Sequence, residues 1–375
     1  MTAPPTERLV ALDGLRGWAA LSVVFFHLTW EVFGAVFPMF RTLPFAVLAN
    51  GPFAVALFLM VSGYVLTVSG WRNPDKRPIV RSISKRYLRL TIPILASVII
   101  FWALIAAGLT TSHAAGQIIH RPDWLAAFAT LKPDALQAAW FGLVQVYIST
   151  NPPSYGPFLW TMTVELWGSF LVLLLCLAEL RGVWSYVPLF ALFGVAFYTS
   201  SDPYFPIAAC YPAGAVVALL VRDGIIRSGE PEGFESAVAT GVILVGIGAA
   251  TLDKQFNLGQ QLSTVGAILT FVGVVRSRTA RAFLSARISQ WLGAVSFPLY
   301  LVQILIITTV TSDLIVAANG AHALNPWTAA GIGAVSLALC LVAAQVFLPA
   351  ERLGLRAAAW FGNLVVPPQK KVSRA

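Results

Sequence analysis

Long apolar runs dominate this sequence and constrain its fold more than any other feature. Hydrophobic residues make up 58% of the 375 residues and charged residues only 11%, whereas soluble proteins carry about a quarter charged residues. Several runs reach the roughly 18 residues that a helix needs to cross a bilayer. The sequence therefore predicts an all-α fold, a multipass integral membrane helical bundle, and excludes an ordinary soluble domain.

Hydropathy predicts about ten transmembrane helices in a single domain that covers residues 1–375, with no appended soluble domain. Their predicted bounds are about 9–30, 45–69, 90–109, 158–180, 183–200, 204–221, 235–252, 258–276, 289–311 and 326–348. The apolar segment 136–148 is short for a span. We interpret it as an interfacial or re-entrant helix, with a full crossing as the alternative.

The distribution of lysine and arginine predicts the orientation of the bundle. With the N-terminus in the cytoplasm, most of the 25 lysines and arginines fall on the cytoplasmic side, in agreement with the positive-inside rule. Both termini are then cytoplasmic, and we expect the protein in the plasma or inner membrane. The net charge of +9 then needs no nucleic-acid partner. The 3 cysteines all lie in apolar runs, which argues against a disulfide framework or a zinc site.

The first apolar segment carries three ionisable residues, Asp13, Arg16 and His27. A charged side chain at the centre of a membrane helix costs roughly 2.5–3.5 kcal/mol, so such residues usually face a cavity and work there. Asp13 and Arg16 are three apart, within reach of a salt bridge. Arg16 and His27 share a helix face about 16 Å apart along the axis. The alternative is that Arg16 extends to the interface and His27 is a core histidine.

This segment resembles the opening signature of the acyltransferase family 3 membrane proteins. The resemblance rests on Leu12-Asp13-Gly14-Leu15-Arg16-Gly17 together with the spacing of Arg16 and His27. That family includes O-antigen acetylases and related enzymes that acylate cell-surface sugars. The resemblance implies a membrane-bound sugar O-acyltransferase, with acyl-CoA as donor.

Glu165 lies in the segment Trp160-Thr-Met-Thr-Val-Glu-Leu-Trp167, which is similar to a Trp-Ser-Leu-Ser-Val-Glu-type motif of the family, with Thr163 at a serine position. The predicted topology places Glu165 about two turns below the outer surface, at the depth of His27. An intramembrane carboxylate needs a partner. We therefore predict that Glu165 pairs with His27, orients the imidazole and supports general base catalysis. A helix cap or a crevice wall is the alternative.

The basic stretch before the third predicted span contains Arg86 and Arg89, three apart on one helix face. They resemble the family's Arg-x-x-Arg motif. Guanidinium groups bind phosphate oxygens in a bidentate manner. We predict that Arg86, Arg89 and Arg16 bind the phosphates of the acyl donor. The alternative is that these basic residues only set the membrane orientation and contact anionic lipid.

Two further segments resemble family motifs more weakly. Ser62 lies in Phe58-Leu-Met-Val-Ser-Gly-Tyr-Val65, where Gly63 also permits close helix approach. Tyr300 and Gln303 lie in Ser296-Phe-Pro-Leu-Tyr-Leu-Val-Gln303. In the family a histidine commonly stands at the position of Gln303, so we infer that this position supports binding rather than proton transfer.

The resemblance implies transfer of an acyl group, most simply acetyl, from acyl-CoA to a hydroxyl of a cell-surface or lipid-linked carbohydrate, and the predicted topology places the donor in the cytoplasm and the acceptor outside. His27 and Glu165 are the predicted catalytic residues, and Asp13, Ser62, Trp160, Thr163, Tyr300 and Gln303 the predicted supporting residues. The expected partners are acyl-CoA as co-substrate, a carbohydrate or glycolipid acceptor and membrane lipids, without a metal or another cofactor. The alternative function is a transporter or flippase of a lipid-linked glycan or an acylated metabolite, because intramembrane ionisable groups also form proton relays.

Overall fold

The structure is a computed structural model that describes residues 6–71, 75–148, 155–180, 182–198, 205–227 and 233–367. Within these ranges all regular elements are helices. A helix lies in each of the ten predicted segments, and the predicted ends at 200 and 204 lie outside the described residues. The ten principal helices are α1 (Thr6–Phe26), α2 (Gly51–Trp71), α3 (Arg77–Ala106), α4 (Thr161–Leu177), α5 (Val187–Tyr198), α6 (Cys210–Arg222), α7 (Gly233–Phe256), α8 (Gln261–Arg276), α9 (Arg287–Ile306) and α10 (Pro326–Val365).

Several of these helices have the length and hydropathy that a membrane span requires. Five helical segments in the described part of the chain are long and apolar enough to cross a bilayer: Leu43–Trp71, Arg77–Ala106, Gly233–Phe256, Arg287–Gly320 and Pro326–Val365. Shorter apolar helices cover Thr161–Leu177, Gly182–Tyr198, Pro206–Arg222 and Gln261–Arg276. The chain is thus a multipass helical membrane protein.

Helix α3 begins at Arg77, well before the predicted start of its span at 90. Helix α10 ends at Val365, well after the predicted end of its span at 348. Both extensions are mixed in polarity, so a hydropathy criterion ends before the helix does. Gly354, Ala358 and Gly362 of α10 recur every four residues and are buried. A β-carbon at Gly354 would contact the ring of Pro93 in α3 at 2.9 Å. This small-residue face lets the two helices continue side by side past the apolar region.

The crossing of α1 and α9 depends on glycine at the point of contact. A β-carbon at Gly17 of α1 would overlap the backbone nitrogen of Gly293 in α9, and one at Gly14 would overlap the carbonyl of Leu284. Backbones this close need residues without side chains. Gly17 therefore holds α1 against α9, and Gly14 holds it against the segment just before α9, so these contacts align the two helices that carry the site.

Two helices end in a widened turn near the same end of the bundle. A π-helical turn, His27–Glu31, follows α1, and another, Ile307–Thr311, follows α9. Single π turns inside helices are frequent at functional sites. The π turn after α1 begins at His27, so the candidate catalytic residue lies where the helix changes geometry.

The region between α3 and α4 folds as short helices, Ser112–Ile118, Leu125–Ala127, Ala135–Leu143 and Gln145–Tyr147. The side chain of Asp134 accepts hydrogen bonds from the backbone nitrogens of Leu136 and Gln137 and so begins the third of them. That helix has 9 residues, or about 14 Å, against a hydrocarbon core of about 30 Å. It is too short to cross a bilayer as a helix.

Candidate functional site

A cavity of about 370 Å³ lies among α1, α2, α3, α4, α9 and α10. We call it the arginine cavity. Six ionisable residues line it: Asp13, Arg16, Arg86, Arg89, Glu165 and Glu351. Of the other predicted site residues, Ser62 and Tyr300 also line it. The structure thus brings together charged residues from four helices, with the predicted basic residues on two of them and acidic residues on three.

In this structure Glu165 pairs with Arg86 and Ser62 and not with His27, the predicted partner. Its Oε1 atom accepts hydrogen bonds from the Nη2 atom of Arg86 and, at 3.0 Å, from the hydroxyl of Ser62. The side chains of Arg86 and Glu165 are only 9% and 13% exposed. A carboxylate this deeply placed is best compensated by a full positive charge, which a neutral imidazole does not supply. Because α3 begins at Arg77 rather than at 90, Arg86 lies inside the bundle within reach of Glu165.

Arg16 and Arg89 differ from Arg86 because neither forms a salt bridge with a described residue. The Nε atom of Arg16 is enclosed by protein and has no hydrogen-bond partner there. The expected contact between Asp13 and Arg16 is also absent at ion-pair distance in this part of the chain. Arg16 and Arg89 therefore present guanidinium groups to the arginine cavity that remain free to bind an anion.

The sequence analysis missed Glu351, which lines the arginine cavity from α10. It lies three residues past the predicted end of the last span, where hydropathy no longer indicated a membrane helix. Its negative charge acts on Arg89 and Arg16. The only sequence signal for Glu351 was a carboxylate shortly after an apolar helix. The extension of α10 is what places this carboxylate at the cavity.

His27 is held by Gln303 rather than by a carboxylate. The Nδ1 atom of His27 lies 2.8 Å from Oε1 of Gln303, and Nε2 of Gln303 donates to the carbonyl of Tyr300 at 3.1 Å. That carbonyl can only accept, so the amide is fixed with its oxygen toward His27. His27 must then donate from Nδ1, which leaves Nε2 as the basic nitrogen. Gln303 is completely buried, so this orientation is well supported by packing.

Aromatic rings enclose the imidazole. The ring of Phe158 stacks on His27 with centroids 4.0 Å apart and planes at 11°, and the ring of Trp124 lies at 5.8 Å. The Nε2 atom has no hydrogen-bond partner in the described part of the chain. Protein does not fully enclose this atom. We call His27, Gln303, Phe158 and Trp124 the histidine site.

A thin layer of side chains separates the arginine cavity from the histidine site. The hydroxyl of Tyr300 donates to the carbonyl of Phe158 and accepts from Thr161 at 2.8 Å. Along α1 the last residue that lines the cavity is Val23, one turn before His27. The two compartments are therefore adjacent, about one helical turn apart, and Tyr300 and Thr161 close the boundary.

Besides Gln303, the predicted supporting residues Trp160 and Thr163 lie outside the arginine cavity. Thr163 donates to the carbonyl of Val146 at 3.2 Å and so ties α4 to the turn Gln145–Tyr147. Trp160 precedes the first residue of α4. Both residues belong to the start of the helix that carries Glu165.

The fold and the site define the class of the protein as a multipass membrane protein with a polar, charged cavity among its helices. The sequence matches the model of the acyltransferase domain of acyltransferase family 3 over residues 9–345. The chain therefore belongs to the acyltransferase 3 family, as the opening motif predicted, and is a membrane acyltransferase by family. No curated protein and no solved structure matches the chain.

Proposed function

We propose that this protein transfers an acyl group, most simply acetyl, from cytoplasmic acyl-CoA to a hydroxyl of a cell-surface or lipid-linked carbohydrate on the outer side of the plasma or inner membrane. The observation that carries the proposal is the juxtaposition of two compartments of different chemistry. The arginine cavity offers two guanidinium groups that form no salt bridge with a described residue, and the histidine site, one turn away along α1, offers an oriented imidazole.

The direction of transfer follows from the proposed topology. In it the ten principal helices all cross the membrane, with both termini in the cytoplasm. Alternation of the crossings then puts the start of α1, the start of α3 and the end of α10 on the cytoplasmic side. Residues of these segments, Arg16, Arg89 and Glu351, line the arginine cavity, whereas His27 lies toward the outer side. The basic loop before α3 supports this orientation.

Arg16 and Arg89 are the proposed ligands of the donor. Both can bind phosphate oxygens of acyl-CoA, because neither guanidinium has a salt-bridge partner in the described part of the chain. Arg86, which the sequence suggested as a third phosphate ligand, is already paired with Glu165. We assign Arg86 and Glu165 a common role, in which the buried ion pair shapes the cavity wall and Ser62 completes it through its hydrogen bond.

The chemical step needs only groups that the chain or its substrates supply. Nε2 of His27 takes the proton of the acceptor hydroxyl, and that oxygen forms an ester bond with the thioester carbonyl carbon. The carbon–sulfur bond breaks and CoA leaves as the thiolate, which takes up the proton. Gln303 stabilises the required tautomer of His27 through Nδ1. Attack by His27 itself, with an acyl-histidine intermediate, uses the same geometry.

Turnover by the purified protein tests the proposal. The protein, reconstituted in liposomes, receives acetyl-CoA labelled in the acetyl group on one side and a lipid-linked or soluble glycan on the other. We expect one acetyl mass per modified glycan and one free thiol per transfer, both lost in His27→Ala. Movement of unmodified glycan across the liposome membrane, without release of a thiol, would favour a transporter and overturn the proposal.

A further inference from the structure

The histidine site is bordered by a group of basic side chains that the proposed mechanism does not use. Lys254, at the end of α7, lies over the ring of Phe26 at 4.4 Å and over that of Trp30 at 4.7 Å. The ring of Phe26 is in turn 5.3 Å from that of His27. Arg41 donates to the carbonyl of Trp30 at 3.3 Å. We call Lys254 and Arg41 the basic rim.

The acidic groups around the basic rim are committed to other partners. Glu31 forms a salt bridge with Arg121 at 2.6 Å, and the exposed Asp123 lies 3.6 Å from the same guanidinium. Asp253, next to Lys254, accepts hydrogen bonds from the backbone nitrogens of Gln260 and Ser263 at 3.2 and 2.6 Å. Within the described residues, neither cation of the basic rim has a carboxylate at ion-pair distance.

Lys254 is therefore an ammonium group with three donors that, among the described residues, contacts two aromatic faces and donates no hydrogen bond. A cation over aromatic rings gains about 0.5–2 kcal/mol, but its hydrogen-bonding capacity stays unused. Lys254 and Glu31 are also the charged groups near enough to act on His27. An anion at the basic rim would accept hydrogen bonds from Lys254 and Arg41 next to the ring of Phe26, whose centroid lies 5.3 Å from that of His27.

We propose that the acceptor carries an anionic group, a phosphate or a carboxylate, that binds Lys254 and Arg41 beside the hydroxyl to be acylated. This inference rests on the proposed function and names the substrate class of the same site. The aromatic rings of Trp30 and Trp124 supply an apolar wall, and the basic rim supplies the charged contact that orients the acceptor. The acceptor is then an acidic sugar or a sugar phosphate rather than a neutral glycoside.

Binding measurements test this assignment without requiring turnover. Wild-type protein in nanodiscs of phosphatidylcholine is titrated with methyl glucoside, methyl glucuronide and glucose 6-phosphate. We expect the two anionic probes to bind about tenfold more tightly than the neutral one, the worth of one charge-assisted hydrogen bond of about 1.4 kcal/mol. Lys254→Met should remove most of this preference, and Arg41→Gln should reduce it independently.

Lys132→Met is the matched control, because Lys132 is an exposed lysine of the loop between α3 and α4 and lies outside the basic rim. It should keep the preference for anionic probes. Equal affinity for all three probes, no measurable binding of either anionic probe, or a preference that survives both rim variants would overturn the proposal. Because the readout is binding, absence of acyl transfer would refute the proposed function and leave this result standing.

An anionic lipid headgroup offers the same chemistry as an acidic acceptor, so the lipid is varied separately. The titrations are repeated in nanodiscs that contain phosphatidylglycerol. If that lipid abolishes binding of glucose 6-phosphate in wild type, and native mass spectrometry finds it retained in wild type but not in Lys254→Met, the basic rim is a lipid site and the acceptor assignment fails. Unchanged binding of glucose 6-phosphate supports the acceptor.

Discussion

Replacing Gln303 with Leu removes the group that orients His27 while keeping a side chain of similar size. The carbonyl oxygen that accepts from Nδ1 at 2.8 Å is lost, and the site of Gln303 is fully buried, so water does not readily replace it. A buried donor left without a partner costs about 1–3 kcal/mol. If that penalty falls on the productive tautomer, the expected fall in kcat is about 5- to 150-fold.

The assay measures kcat and KM for acyl-CoA separately, together with thermal unfolding. We expect the fall in kcat with KM for acyl-CoA unchanged, because Gln303 lies outside the arginine cavity. Gln303→His, which restores the residue common in the family, should recover much of the rate. Gln290→Leu is the control for thermal unfolding only: Gln290, also in α9, donates to the backbone carbonyls of Val10 and Leu284, but it lines the arginine cavity, so its KM is not compared. Wild-type kcat in Gln303→Leu would refute the orienting role.

Four further predictions concern other parts of the site and the fold, the last of them with a control variant. His27→Ala should lower acyl transfer by about 10²–10⁴-fold with unchanged membrane insertion, and wild-type turnover would remove the proposed base. Arg89→Lys keeps the charge but loses the bidentate fork, so KM for acyl-CoA should rise about tenfold; an unchanged KM with lower kcat would indicate a structural role. Glu165→Gln leaves Arg86 as a buried uncompensated charge, at a cost of about 3–5 kcal/mol, and should lower the unfolding temperature; an unchanged unfolding temperature would contradict this. Gly17→Ala should impair folding through overlap with α9, whereas Gly248→Ala, with open space around it, should not; equal effects would contradict the helix contact.

The positions of the helices followed from the sequence because hydropathy reports directly on burial in lipid. Their ends did not, because α3 and α10 continue as mixed-polarity helices that pack on each other. This extension has consequences at the site. Because of this extension Arg86 lies inside the bundle and Glu351 lines the arginine cavity. A criterion based on apolar runs predicts neither position.

The predicted site residues were largely brought together, but their pairing was not predicted. Depth in the membrane assigns residues to a layer and does not say which face of a helix they occupy. Glu165 and His27 were matched by depth alone, whereas the structure matches Glu165 with Arg86 and His27 with Gln303. The contact between His27 and Gln303 joins residues 276 positions apart, and no local spacing rule reaches that far. The resemblance marked Gln303 as unusual, which was the one available signal.

Two walls of the arginine cavity differ in the free energy that is needed to open them. The boundary at Tyr300 depends on hydrogen bonds to a hydroxyl and a carbonyl, each worth about 0.5–1.5 kcal/mol net. The wall at Arg86 and Glu165 is a buried ion pair, whose disruption costs about 3–5 kcal/mol. Arg16 lies in α1 and His27 begins the π turn that follows it, about 16 Å further along the axis; in the proposed reaction the flexible arm of acyl-CoA bridges this distance. We therefore expect the arm of the proposed donor to pass Tyr300 and Thr161 rather than the ion pair of Arg86 and Glu165.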